Sequence, residues 1–363
     1  MKEILKIIWL SLIMLLATTL PVSAGTYTIT QLTDNSYYDA QPQINNSGQV
    51  VWRGGGGTDS EIFLYDGTTI TQLTDNSYHD DFPQINDSGQ VVWRGGESGT
   101  DIEIFLYDGT TITQLTDNSY FDTRPQINNS GQVVWQGWDG MAFQIFLYDG
   151  TITQLTDNSY HSDFATDHAP QINDSGQVVW NGYDGTDHEI FLYDGTTIIQ
   201  LTDNSYFDSS PQINDSGQVV WMDYGDGKDN QMFFWDTEIF LYDGTIITQL
   251  TDDSYFNYEL QINNSGQVVW EAWGDNKVGE IFLYDGTTII QLKDKTYKDI
   301  APQINDSGQV VWMGSVGSDS SDSEIFLATP ASGTTPPGSE VTVEPIDSDP
   351  VVGDGTGVTV EFE

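Results

Sequence analysis

Apolar and polar residues alternate along this chain in short runs, and the runs are built from strand-forming residues. Residues 27–32 read Tyr-Thr-Ile-Thr-Gln-Leu, residues 91–93 Val-Val-Trp and residues 103–107 Glu-Ile-Phe-Leu-Tyr. Such β-branched and aromatic runs, bounded by Asn, Asp, Ser and Gly, predict strands joined by tight turns. No helical period appears beyond the first twenty residues. The runs also recur. Residues 83–93, Pro-Gln-Ile-Asn-Asp-Ser-Gly-Gln-Val-Val-Trp, return almost unchanged at 42–52, 125–135, 170–180, 211–221, 260–270 and 302–312, with starts 41 to 49 residues apart. Two companions travel with them, Glu-Ile-Phe-Leu-Tyr-Asp-Gly (61–67) and Ile-Thr-Gln-Leu-Thr-Asp-Asn (70–76).

A period of this size made of strands and turns predicts blades of a β-propeller. Each unit divides into four strands: A (Pro-Gln-Ile-Asn, innermost), B (Gln-Val-Val-Trp), C (Glu-Ile-Phe-Leu-Tyr) and D (Thr-Ile-Thr-Gln-Leu, outermost). Asn86-Asp87-Ser88-Gly89 is the A–B turn and Tyr107-Asp108-Gly109 the C–D turn, each with the glycine a hairpin of this kind requires. Seven tryptophans, Trp52, Trp93, Trp135, Trp180, Trp221, Trp270 and Trp312, recur once per unit as filler between blades. The first unit is preceded by a spare D-type strand at 27–32, and the last ends at Glu324-Ile325-Phe326-Leu327 with no D strand of its own. The expected fold is therefore all-β, a seven-bladed β-propeller of four-stranded antiparallel blades, closed by the N-terminal strand. Closure of this kind removes exposed sheet edges.

The repeat resembles the TolB-like, WD-type propeller unit. The matching residues are Leu73-Thr74, Pro83, Asp87-Ser88-Gly89, Val91-Val92-Trp93 and Ile104–Tyr107, and the likeness spans about residues 26–327. It implies the propeller fold. The chain departs from that pattern in carrying Asn-Asp-Ser-Gly for Ser-Pro-Asp-Gly and Trp where Phe is usual. It also has no counterpart of the small domain that precedes the TolB propeller.

Charge narrows the partners. The 363 residues include 55 acidic and 10 basic side chains, a formal net charge of −45, and no cysteine. Such a surface repels phosphates, so nucleic acid and anionic membranes are not expected partners. Residues 1–24 have Lys2 and Lys6, an apolar run over 7–20 and Val22-Ser23-Ala24, which predicts a cleaved signal peptide. The expected location is secreted, periplasmic or cell-surface. The expected division is leader 1–24, propeller 25–328, Pro/Gly/Ser/Thr linker 329–340, and a short β-like or disordered tail 341–363.

Connectivity puts the near-invariant A–B and C–D turns on one rim and the variable B–C and D–A loops on the other, where function is expected. Several D–A loops carry Asp-x-Ser-Tyr-x-Asp: Asp34/Tyr37/Asp39, Asp75/Tyr78/Asp80, Asp117/Tyr120/Asp122 and Asp203/Tyr206/Asp208. Carboxylates so spaced would admit calcium, and turn capping by the first aspartate is the alternative. The longest D–A loop adds His161, Asp163, Asp167 and His168 as metal candidates. The only arginines, Arg53, Arg94 and Arg124, fall on consecutive blades of this rim. They suit a carboxylate-binding patch, or else ion pairing with nearby acids. Extra aromatics in the B–C loops, Trp138, Tyr183, Tyr224, Phe233, Phe234, Trp235 and Trp273, suit stacking on sugars or peptides, or capping of their own blades. The seven Asn-x-Ser triplets of the A–B turns match glycosylation acceptors, but turn chemistry accounts for them.

No nucleophile elbow and no cysteine is present. The sequence thus points to an exported, non-catalytic, monomeric binding module for a protein or carbohydrate on the variable rim. The alternatives are a propeller polysaccharide lyase or glycosidase using rim carboxylates, and a structural cell-surface repeat protein.

Overall fold

The computed structural model describes residues 27–35, 37–55, 59–97, 101–157, 168–224, 237–252, 255–273, 279–292, 298–315 and 323–330, with strands Val341–Pro345 and Val358–Val360 beyond them. The expected leader lies outside the described residues, as do most of the linker, His161, Asp163, Asp167, Phe233, Phe234 and Trp235.

Seven antiparallel sheets form a seven-bladed β-propeller, with strands in the order A-B-C-D in every blade. In blade two these are His79–Ile85, Val91–Glu97, Asp101–Tyr107 and Ile112–Gln114. The seventh blade takes its outer strand from the start of the chain. Tyr27–Gln31 pairs antiparallel with Ser323–Pro330, from Tyr27↔Pro330 to Gln31↔Phe326. Val341–Pro345 adds in parallel to the far side of Tyr27–Gln31, and Val358–Val360 follows it. This blade therefore has six strands, two of them from the tail. Among the described residues no helix is long and apolar enough to cross a membrane.

The apolar runs explain the packing. Strands B and C are sandwiched between neighbouring blades, so consecutive residues such as Val91 and Val92 are both fully buried. Trp93 packs with Val51 and Ile62 of the preceding blade. It also stacks on Phe105 of its own blade, with ring centroids 5.9 Å apart. The same arrangement recurs at the ring's seam, where Trp52 of blade one meets Val311 and Ile325 of blade seven.

A polar network accompanies five of the seven tryptophans among the described residues. Trp93 Nε1 donates to Asp80 Oδ1 over 3.1 Å, and Asp80 Oδ2 accepts from Asn76 Nδ2 over 2.8 Å. The Asn76 amide nitrogen donates to Glu61 Oε1, and Thr74 Oγ1 donates to Glu61 Oε2. Glu61 belongs to strand C of the blade before, so the network spans the gap between blades. At the seam it reappears as Trp52, Asp39, Asn35, Thr33 and Glu324, linking residues 291 apart in sequence. The seam thus carries the same side-chain chemistry as the junction between blades one and two.

The invariant rim is a girdle. The first asparagine of each A–B turn donates Nδ2 to the carbonyl of its counterpart in the next blade, Asn45 to Asn86 and onward until Asn305 returns to Asn45, each over 3.0 Å. These asparagines are 3–4% exposed, so every triplet's acceptor nitrogen is used inside the protein.

Removing Tyr27–Thr33 should expose one edge of Ser323–Pro330 and orphan Glu324. The expected result is a lower thermal midpoint with concentration-dependent association in light scattering; an unchanged midpoint and a monomer at all concentrations would contradict the closure.

Candidate functional site

One position per blade breaks the strand geometry, and the sequence repeat varies there too. The residue before the strand-A proline (or Leu260) is Gln41, Phe82, Arg124, Ala169, Ser210, Glu259 and Ala301 in turn. Each lies in the left-handed region, with φ between 48° and 55°. The A–B register slips at the same point, between Asp81 and Gln84 in blade two, which marks a bulge. A left-handed non-glycine residue costs roughly 1–2 kcal/mol, and seven of them persist only because the surrounding frame fixes them. Their side chains differ where the flanking Pro-Gln-Ile does not.

All seven line one cavity of about 330 Å³ on the propeller axis, at the end facing the variable rim. Below them the glutamines of the six Pro-Gln-Ile segments and of Leu260-Gln261-Ile262, Gln43 and Gln84 among them, complete a polar wall with Tyr224 and Tyr258. Gln41 Oε1 accepts the Phe82 amide hydrogen over 2.9 Å, so the ring is linked to its neighbour there. Arg124 and Glu259 are the ring's two charged members. Both remain open to the channel, yet protein crowds them. Burial pushes the Arg124 guanidinium down and the Glu259 carboxyl up, and their mutual attraction opposes each shift.

The predicted arginine patch divides. Arg53 Nη1 lies 2.8 Å from Asp81 Oδ1 and Arg94 Nη2 3.3 Å from Asp81 Oδ2, so one carboxylate holds two guanidiniums. Burial alone would raise Asp81, but the two arginines outweigh it and hold it below the usual carboxylate range. Arg94 also donates to Thr123 and lies over Phe82 and Phe121, 4.5 and 5.6 Å from the ring centroids. Only Arg124 is turned to the axis.

The predicted aromatics form a belt across the middle blades. Trp138 meets Phe143 edge-on at 5.2 Å, and His168 stacks on His188 at 6.1 Å. Tyr183 and Phe207 both adjoin His188, at 5.7 and 4.7 Å. Burial, with the Arg124 and His188 charges, pushes His168 down to about 4, so its ring is neutral at pH 7. Its Nδ1 lies 2.7 Å from Gln136 Nε2. Trp273 lies under the Lys298 ammonium at 5.2 Å and donates Nε1 to Glu271.

The predicted metal residues Asp39, Asp80 and Asp122 are 2–3% exposed and accept from Trp52, Trp93 and Trp135. They sit beneath the rim as indole acceptors, not at its surface. The Asp-x-Ser-Tyr-x-Asp spacing serves this inward turn: Asn76 Oδ1 takes the Tyr78 amide hydrogen while Asn76 Nδ2 reaches Asp80.

The ring before the proline escaped the reading of motifs, apart from Arg124. Its signal was present as one of two adjacent positions before the proline at which the seven copies disagree.

No protein-family model matches the chain, and no curated protein matches it. Solved structures do. The β-propeller domain of the Trilobed protease from Pyrococcus furiosus is similar over 80% of this chain and 93% of that one, at 10% identity and a TM-score of 0.60. That propeller is described as having an open velcro topology, whereas here Tyr27–Gln31 closes the last blade. Virginiamycin B lyase from Staphylococcus aureus matches over 84% of this chain and 99% of its own, at 11% identity and a TM-score of 0.57. An acylaminoacyl peptidase matches over 80% of this chain at 13% identity and a TM-score of 0.59, and the chain spans about half that peptidase's length. At these identities the likeness establishes the propeller fold alone.

Burial sets the pH response. It pushes Asp80, Asp208 and Asp223 up to about 6 and Glu271 up to about 7. Each binds its proton more tightly folded than unfolded, so their contribution favours the fold below about pH 4 and is lost as pH climbs to about 7. The turn aspartates Asp66, Asp108 and Asp194 act oppositely: backbone and threonine donors hold them low, so their contribution is lost only on strong acidification. Urea midpoints should therefore be higher at pH 5 than at pH 7.5, and Glu271→Gln should flatten the difference. A midpoint rising steadily from pH 5 to 7.5 would contradict this.

Proposed function

We propose that this protein is an exported binding module whose ligand enters the axial cavity from the variable rim. The observation that carries the reading is the ring of left-handed residues. Seven near-identical blades present seven side chains of six kinds to one cavity, and each is held in a backbone conformation that costs free energy. Structural need alone would be met by one residue type repeated.

The ring's chemistry suggests the ligand. Arg124 offers a two-point donor to a carboxylate, and Glu259 accepts from a hydroxyl or ammonium group. The glutamine wall suits hydroxyls or amides, and Phe82, Tyr224 and Tyr258 supply flat apolar surface. A carboxylate-bearing sugar or peptide end fits these groups. Arg53 and Arg94 are committed to Asp81, and Arg94 lies over Phe82.

A second reading, a lyase or glycosidase, is favoured by Glu259, a carboxyl inside the cavity whose proton affinity burial raises. Turnover separates the two readings.

Glycan and peptide arrays probed with residues 25–363 should return acidic ligands. Arg124→Ala, which places in blade three the alanine already used at Ala169 and Ala301, should weaken binding at least tenfold and leave the melting temperature within about 2 °C. Binding unchanged in the Arg124→Ala, Glu259→Ala double variant would exclude the cavity. Release of product from a bound polysaccharide, abolished by Glu259→Gln, would replace the binding role by the enzymatic one.

A further inference from the structure

Blades three and four pass from strand B to strand C through the same turn but leave it with different chemistry. An aspartate opens each turn, Asp139 or Asp184, and its Oδ1 accepts the amide hydrogens of the residues two and three positions on. In blade three Gln144 stands beside the turn, paired with Gly137. Its Nε2 donates to Asp139 Oδ2 over 3.1 Å, and its Oε1 accepts from Thr156 Oγ1 over 2.9 Å. The matching residue of blade four, paired with Gly182, is Glu189. A carboxylate has no amide hydrogen to give Asp184. Where blade three then has Ala142, blade four has Asp187.

Three acids thus occupy the place of one aspartate–amide hydrogen bond. A carboxylate oxygen from each of Asp184, Asp187 and Glu189 lies within 4.8 Å of the other two. Glu189 is 0% exposed; its Oε1 accepts the Asn204 amide hydrogen over 2.9 Å, while its Oε2 is buried and makes no well-formed hydrogen bond, with the Thr202 hydroxyl and the Asp208 carboxyl nearby. Asp187 Oδ1 is likewise buried without a hydrogen bond. Gln200 has turned towards the group, with Nε2 3.5 Å from Asp184 Oδ2, whereas Gln114 and Gln154 bind the carbonyls of Thr116 and Thr156 in their own blades. Buried carboxylate oxygens without donors are costly unless something positive meets them.

We propose that Asp184, Asp187 and Glu189 bind a divalent cation of the calcium type. Three carboxylates are a hard, all-oxygen donor set of high charge, which suits calcium and not the nitrogen and sulfur preferences of zinc. Calcium's irregular coordination of six to eight oxygens leaves room for turn carbonyls and water beside the three acids. The cation takes the part that Gln144 plays in blade three and ties the B–C turn to strand C. This site differs from the D–A aspartates that the sequence singled out, and it is independent of the axial cavity.

The test uses residues 25–363 dialysed against EDTA, then titrated with calcium or magnesium chloride in 150 mM sodium chloride, with melting temperature and calorimetric heat as readouts. The controls come from the protein itself: Glu189→Gln and Asp187→Ala together rebuild the Gln144 and Ala142 arrangement of blade three. Wild type should show a saturable calcium heat and a melting temperature about 5 °C higher at a hundredfold excess over the dissociation constant. The double variant should melt in EDTA at or above wild type and lose both responses. No heat and no shift in wild type would overturn the proposal, as would a double variant that retains the full calcium response.

Discussion

The ring depends on a single recurrent contact, a buried indole N–H on a buried carboxylate. Each tryptophan fills the space between two blades, and burying an aromatic side chain of that size contributes roughly 4–6 kcal/mol. The indole carries one donor that must be met, and an unmet buried donor costs about 1–3 kcal/mol. The aspartate three residues before the strand-A proline meets it in blades one, two, three, five and seven. That carboxylate is then buried itself, so the neighbouring loop's asparagine and the preceding blade's threonine and glutamate follow as its consequence. Blade six shows the alternative: Asn257 replaces the aspartate and turns to the backbone carbonyl of Thr237.

The same contact explains what the sequence showed and what it hid. Seven copies of Pro-Gln-Ile-Asn to Val-Val-Trp announced the ring, and the displaced strand at 27–32 announced how it closes. The same regularity hides where the loop aspartates sit. Strand A was drawn from its proline, yet in blade two it begins at His79, so Asp80 lies within the sheet and faces inward. A carboxylate spacing that suits a cation also suits an indole, and only the strand boundary distinguishes them. The sign of a backbone angle has no compositional signature, so the left-handed ring was invisible as geometry. The closeness of Glu189 to Asp184 is likewise a product of the turn, not of any motif.

Fixed frame and varied ring serve different ends. The girdle of asparagines repeats in all seven blades, and the indole–aspartate contact in five of them, because each blade must match two neighbours. The bulge before the proline varies, since its side chain lines the axial cavity. Charge follows the same division: the surface carries most of the −45, while the described arginines gather near blades one to three, two on Asp81 and one on the axis.

The most direct measurement is hydrogen exchange of the tryptophan indole protons, followed by NMR on nitrogen-15-labelled protein in deuterium oxide. The account predicts that Trp52, Trp93, Trp135, Trp221 and Trp312 retain their indole protons until the ring opens globally, far longer than the half-buried Trp138. If those five exchanged as fast as Trp138, the buried indole–carboxylate contact would not be what holds the blades together.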